Sequence, residues 1–341
     1  MLGLASHIYK YDFAGPAMEI APNELSSLIG WFDFSDKSTL FQDTNSTNTP
    51  VSSNNDPIGR IYNKAHSGLG LYNNPNGVDS PINKFMSATA DANRPLYNFN
   101  FGGHAVFDGT NDFLVSAGGA GAFNEGGQDP DSNLVLNAGD MAGTVMDPAG
   151  ADGGTGMTII ALVRSAQAPT SSDEYILGLS GSYGSNQACL NVLKDTGGEG
   201  LEFQLLVDSA PQQTDVITDS SATNNNLKEF AIVTQAGSNA SHIYLNDGLA
   251  NSSQAGTIDA NGGGSAPLKF LSDNCAMTIG LGLDETGQED GEEWEGKIFE
   301  IIMYNRPLTE DELQGIGTCL LYTSDAADDS LRVDLGGRRI I

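Results

Sequence analysis

The chain is poor in positive charge. Fifteen Lys and Arg stand against 44 Asp and Glu over 341 residues, a formal net charge of -29. Such a surface repels phosphate backbones and anionic lipid and has no basic stripe, so neither nucleic acid nor a membrane surface is expected as a partner. By itself the acidity reads as a solvated, salt-tolerant exterior. Cysteine is scarce as well. Cys189, Cys275 and Cys319 show no C-x-x-C or C-x-x-H spacing, which speaks against a zinc knuckle or a disulfide framework and leaves one bridge, Cys189 to Cys275, open. No window approaches 18 apolar residues, so membrane insertion is not expected, and no signal peptide is visible in MLGLASHIYKYDFAGPAM. The four histidines (His7, His66, His104, His242) are scattered. Neither H-E-x-x-H nor G-x-S-x-G occurs, and no P-loop or dinucleotide fingerprint appears despite 42 glycines.

What is present is a series of short runs rich in Val, Ile, Phe and Tyr, separated by Gly, Asn, Asp and Ser. They are LIGWFDF (28–34), HAVFDGTNDFLV (104–115), MTIIALV (157–163), EYILGLS (174–180), CLNVL (189–193), LEFQLLV (201–207), FAIVTQA (230–236), HIYLND (242–247), LKFLS (268–272), AMTIGLG (276–282) and KIFEIIMYN (297–305). That rhythm predicts an all-β chain of antiparallel strands. One short C-terminal helix is expected, where Thr309 and Glu312 make a capping box and Leu313, Ile316 and Leu320 share a face. Residues 1–24 read as a leading arm that docks on a neighbour, and residues 117–156 as a Gly-rich insertion. From about residue 319 the composition changes. CLLYTSDAADD resembles one reading frame of a transposase adapter from sequencing libraries, and VDLGGRRII the flow-cell adapter beyond it, so residues 319–341 are expected to be an artefactual tail. Removing its four Asp and three Arg moves the net charge by one unit only.

Several segments together resemble a known family. LIGWFDFSDKSTLF (28–41), DPIGRIYNKA (56–65), NRPLY (93–97), AVFDGTNDFL (105–114), MTIIALVR (157–164), HIYLNDG (242–248) and WEGKIFEIIMYNRPLTEDEL (294–313) follow the order of the laminin-G-like, concanavalin A-type jelly roll. The resemblance spans residues 25–318 and implies two antiparallel sheets packed face to face. It also implies glycan or calcium sites in the loops or on a sheet face. The family holds lectins, adhesion modules, enzymes and inert virion subunits, so the fold alone selects no function.

The stretch EEWEGKIFEIIMYN (292–305) reads as one strand, on which Glu293 and Glu295 share a face and flank Trp294. A retaining glycosidase needs two carboxyls about 5–5.5 Å apart over one groove. The partner acid is missing at the positions after Glu295, and Glu300 falls at the opposite parity unless a bulge intervenes. As an aromatic platform for a sugar, Trp294 at the strand entry and Tyr183 in SGSYGS are the candidates, with Glu293 and Glu295 beside the former. Trp31 sits inside an apolar run and reads as core. Asp108, Asn111 and Asp112 surround a Gly-containing turn whose first reading is hairpin chemistry and whose second is a calcium site. Asp284, Glu285, Glu289 and Asp290 form an acidic loop. The expected function is a non-catalytic glycan-binding or adhesion module on a virion surface or outside the cell, contacting glycan and other virion proteins. The alternatives are a purely architectural virion subunit and a polysaccharide hydrolase using Glu293 and Glu295.

Overall fold

The computed structural model describes residues 19–44, 48–65, 85–115, 156–166, 173–183, 186–194, 200–207, 210–218, 228–235, 242–245, 248–251, 268–269, 277–283, 289–317 and 319–320. Its first strands are β1 (Leu28–Asp33), β2 (Leu40–Phe41), β3 (Arg60–Tyr62), β4 (Phe85–Ser87), β5 (Leu96–Asn98), β6 (His104–Asp108) and β7 (Leu114–Val115). Then come β8 (Gly156–Ser165), β9 (Glu174–Tyr183), β10 (Asn186–Lys194), β11 (Gly200–Val207), β12 (Ala210–Thr218), β13 (Lys228–Gln235), β14 (His242–Leu245) and β15 (Gly248–Asn251). The last are β16 (Leu268–Lys269), β17 (Met277–Ile279), β18 (Leu281–Leu283), β19 (Glu289–Glu293) and β20 (Glu295–Tyr304). Each apolar run singled out in the sequence carries a strand.

The strands form two sheets. The first runs β15-β14-β13-β8-β20-β6-β5, with β1 also pairing β20, and the second runs β12-β11-β10-β9-β17-β7-β4-β3-β2. Among the described residues, pairing is antiparallel apart from the contact of Glu293 with Tyr175. One short helix occupies 310–317. The all-β, two-sheet fold with a short C-terminal helix is therefore as expected. Among the described residues no helix is long and apolar enough to cross a membrane.

Strand β8 shows why the sheets pack as they do. Met157, Ile159, Ala161 and Val163 point into the core between the sheets. Ile160 and Leu162, at the other parity, join a second cluster under the helix with Ile302, Tyr304, Leu308, Leu313, Ile316 and Leu320. The run from Ile159 to Val163, apolar at every position, is thus buried on both faces. The capping box forms as the sequence predicts: Thr309 N–H donates to Glu312 Oε2 (2.9 Å) and Glu312 N–H to Thr309 Oγ1 (3.3 Å). Arg306 grips the same carboxylate with both guanidinium arms, at 2.7 and 2.9 Å, and this holds the Glu312 pKa down at about 2.

Of the arm, residues 19–24 lie against their own chain. Ile20 N–H donates to Gly315 O (3.1 Å), and the Tyr304 hydroxyl donates to Pro22 O (2.8 Å). Residues 1–18, residues 117–155 of the expected Gly-rich insertion (Gly156 opens β8) and residues 321–341 lie outside the described residues, as does Cys275 of the open bridge. Cys319 and Leu320 are described, and Leu320 packs in the second cluster.

One expectation is corrected. The stretch 292–305 is not a single strand: β19 belongs to the second sheet and β20 to the first, and the chain crosses between them at Trp294. Trp294 N–H donates to Gly280 O (3.0 Å), while Glu295 O accepts from Ala166 N–H (3.0 Å), so consecutive peptides are held by different sheets. Glycine follows because the strands close up here: a Cβ on Gly296 would lie 2.4 Å from Arg164 O.

Candidate functional site

The crossing decides the fate of the residues first expected to bind sugar. Trp294 is only 1 % exposed and lies in the main core, so it presents no face to a ligand; the expectation of a stacking platform is corrected. Its large ring packs into the main core at the point where the chain passes from one sheet to the other. Glu293 pairs with Leu281 and Tyr175 in the second sheet, and Glu295 pairs with Asp108 in the first. The two glutamates therefore stand in different sheets, and the shared face that a hydrolase pair needs is lost. Beneath Trp294 lies a buried polar clasp that the sequence did not reveal. Lys194 Nζ donates to Ser165 Oγ (2.6 Å) across the sheets and to Glu174 Oε2 (3.1 Å), and sits 5.6 Å from the Trp294 ring centroid. Burial acts against both charges, lowering the Lys194 pKa and raising that of Glu174.

Glu300 has a different setting. The register slips between Ile298 and Glu300, a bulge at Phe299. The bulge moves Glu300 onto the outer face of the first sheet, directly opposite Asp33 on β1. Its Oε1 accepts from Trp31 Nε1. Lys64 bridges Asp33 (2.7 Å) and Asp36 (3.0 Å) with its ammonium 4.2 Å from the Trp31 ring centroid. Trp31, held on Asn63 by its backbone N–H (2.8 Å) and packed against the second cluster, serves packing as its sequence position suggested. Two carboxylates facing each other across a strand pair repel. Glu300 escapes by keeping its proton: burial, then the Asp33 charge, pushes its pKa up to about 8 against the pull of Trp31 and Lys64.

A pH dependence follows. A carboxyl whose folded pKa is raised binds its proton more tightly in the native state, so its contribution is full below the ordinary value of 4.5 and is lost as pH rises toward about 8. Glu300→Gln, which keeps a neutral group of the same shape, is expected to remove that loss. Thermal melts from about pH 5 to 9 should show the variant gaining on the wild type as pH rises. Parallel profiles would show that Glu300 titrates normally.

The Asp108 turn is held internally. Asp108 Oδ1 accepts from the backbone N–H of Thr110 (2.9 Å) and Asn111 (3.2 Å), and Asp112 Oδ2 accepts from Asp108 N–H (3.1 Å). Asp112 is buried and its pKa is pushed up to about 7, by burial first and then by Asp108. Among the described residues no three His, Cys, Asp or Glu side chains converge as a metal site. Tyr183, the second aromatic candidate, ends strand β9, its backbone paired with Asn186 and Leu268. Glu289 and Asp290 lie in β19, and Asp284 and Glu285 fall outside the described residues.

A surface that the sequence reading missed lies on the outer face of the first sheet. Tyr97, Ala105, Phe107, Ile298, Ala161 and Val163 point into the core, so Leu96, Val106, Lys297 and Arg164 point outward. Register makes these four one continuous row across β5, β6, β20 and β8. Leu96 is 41 % exposed, and Phe99, just past the end of β5, is 51 % exposed. Two side chains hold the Phe99 turn: its N–H donates to Asn54 Oδ1 (2.8 Å), and Asn100 N–H donates to Asn98 Oδ1 (2.9 Å). The only sequence signal was parity, Lys297 and Arg164 being the charged positions that alternate with core residues.

No protein-family model matches this chain, and no curated protein matches it. Solved structures offer distant likenesses. A sialidase from Trypanosoma rangeli superposes with a TM-score of 0.46 at 12 % identity, over 91 % of this chain and 37 % of that one, so this chain spans little more than a third of the sialidase. Domain 4 of a GH43 extracellular arabinanase from Geobacillus stearothermophilus, in complex with arabinotriose, gives 0.43 at 13 % identity, over 85 % of this chain and 98 % of that one. The CBM40 of a Ruminococcus gnavus IT-sialidase, bound to α2,3 sialyllactose, gives 0.34 at 16 % identity, over 47 % of this chain and 81 % of that one.

Proposed function

We propose that the chain is a non-catalytic carbohydrate-binding module used for adhesion and displayed in many copies, as on a virion surface. The observation that carries this reading is the half-exposed Phe99 ring on a hydrogen-bonded turn just past the end of β5, three residues along the chain from exposed Leu96. Sugar rings bury their C–H faces on apolar groups, while fixed polar groups set their orientation. Here Asn54 and Asn98 accept turn N–H groups with their carbonyl oxygens, and the amide N–H groups of the two side chains are donors suited to sugar hydroxyls. A small platform of this kind gives weak single-site affinity, on the order of millimolar or about -4 kcal/mol. Display in many copies multiplies it.

The test is binding of the full chain to an array of bacterial and algal polysaccharides, with calcium and again with a chelator. The calcium arm reads out any cation requirement at the Asp108–Asp112 turn. Phe99→Ala is expected to weaken binding about tenfold, the loss of one stacking contact, while an exposed position should move stability by less than about 0.5 kcal/mol. A blank array under both conditions would defeat the reading.

A further inference from the structure

The buried clasp under Trp294 brings together two groups that can react with each other. Lys194 on β10 and Glu174 on β9 are direct cross-strand partners at the open end of the β9–β10 hairpin. The Lys194 side chain is 1 % exposed and that of Glu174 13 %. Lys194 Nζ stands 3.1 Å from Glu174 Oε2, an atom one bond from the carboxyl carbon, and a second contact, Ser165 Oγ at 2.6 Å, holds it from the opposite sheet. Glu295 N–H reaches the same Oε2 at 3.4 Å, and the Trp294 ring centroid lies 5.6 Å from Nζ. As an ion pair this arrangement gains little, because desolvation of the two charges offsets most of their attraction.

We propose that Lys194 Nζ and the Glu174 carboxyl carbon condense to an amide, a covalent bond that ties β9 to β10 inside the sandwich. The inference is independent of what the protein binds. The ion pair of the structure is the state before reaction. Transfer of one proton from the ammonium to the carboxylate gives a free amine and a carboxylic acid. Burial favours this neutral form, since it lowers the Lys194 pKa and raises that of Glu174. The amine lone pair then attacks the carboxyl carbon and the C–N bond forms. Negative charge collects on oxygen in that step, and the Glu295 N–H directed at this carboxyl is a donor placed to meet it. One carboxyl oxygen departs as water, taking the carboxylic proton and one amine proton as its C–O bond breaks, and the other remains as the amide oxygen. Nothing is oxidised or reduced, and no co-reactant is needed. Holding the two groups in contact supplies an effective concentration of about 10⁵–10⁸ M, which a free amine and acid in water lack. The partial exposure of Glu174 gives the released water a way out.

The experiment is mass spectrometry of the full-length chain, purified folded, incubated for days at neutral pH and then unfolded. The chain should be lighter by one water, and proteolysis should release a branched peptide that joins the Glu174 and Lys194 segments. Lys194→Arg keeps the cation but lacks the amine, so it should keep its full mass. Wild-type chain collected and held in urea should do the same, because only the fold brings the two groups together. The branched peptide decides on its own, whether or not the variant folds. An unchanged wild-type mass would overturn the proposal and leave an ion pair. So would a water loss that persists in Lys194→Arg, or one that maps to Asp108–Gly109 and is reversed by mild base, the mark of a succinimide.

Discussion

Trp294→Ala is expected to destabilise the protein by about 3–5 kcal/mol, the cost of deleting a large buried ring and leaving a cavity. The ring is 1 % exposed and plugs the point where the chain leaves one sheet for the other. Truncation therefore opens the core to water and frees the crossing peptides together. The indole Nε1 has no hydrogen-bond partner among the described residues. Trp294→Phe, which discards that buried donor and keeps a ring, should accordingly recover much of the loss. Urea titration measures both variants. Glycan binding per folded molecule should stay at the wild-type level in Trp294→Phe; a specific loss of binding without a loss of stability would return Trp294 to the ligand site.

Lys194→Ala is expected to cost about 3 kcal/mol for a different reason: it strands the largely buried Glu174 carboxylate without its cation. Lys194 is 1 % exposed on its side chain, and its ammonium ties Glu174 in the second sheet to Ser165 in the first. A buried pair is not in itself strongly stabilising, because desolvation offsets most of the attraction. The double variant Lys194→Met with Glu174→Gln should thus be far less damaging than Lys194→Ala alone. The difference, read as a coupling energy in a double-mutant cycle, measures what the clasp contributes. Additive single and double losses would mean that the two side chains act independently.

Local chemistry was legible before the fold was seen. Val-, Ile- and Phe-rich runs became strands, Thr309 and Glu312 became a capping box, and Asp108 became the acceptor that closes its turn. Each of those depends on residues within a few positions of one another. Two features were hidden by the same rule of alternation that made the strands visible. The crossing at Trp294 puts Glu293 and Glu295 in different sheets, although two-residue spacing assigns them one face. The bulge at Phe299 does the reverse, bringing Glu300 to the face that spacing denied it. Parity holds only while a strand stays in one sheet and in register.

By itself, the amino-acid sequence determined the all-β class, the strand positions, the helix cap and an acidic exterior, because period, turn chemistry and charge count are local or summed quantities. Tertiary structure alone decided which residues meet. Lys297 faces Arg164, which is 133 positions away in the sequence, and Asp33 faces Glu300, because strand order and register bring them together. A single sequence records neither order nor register, since any outward-facing residue can oppose any other until the sheets have formed.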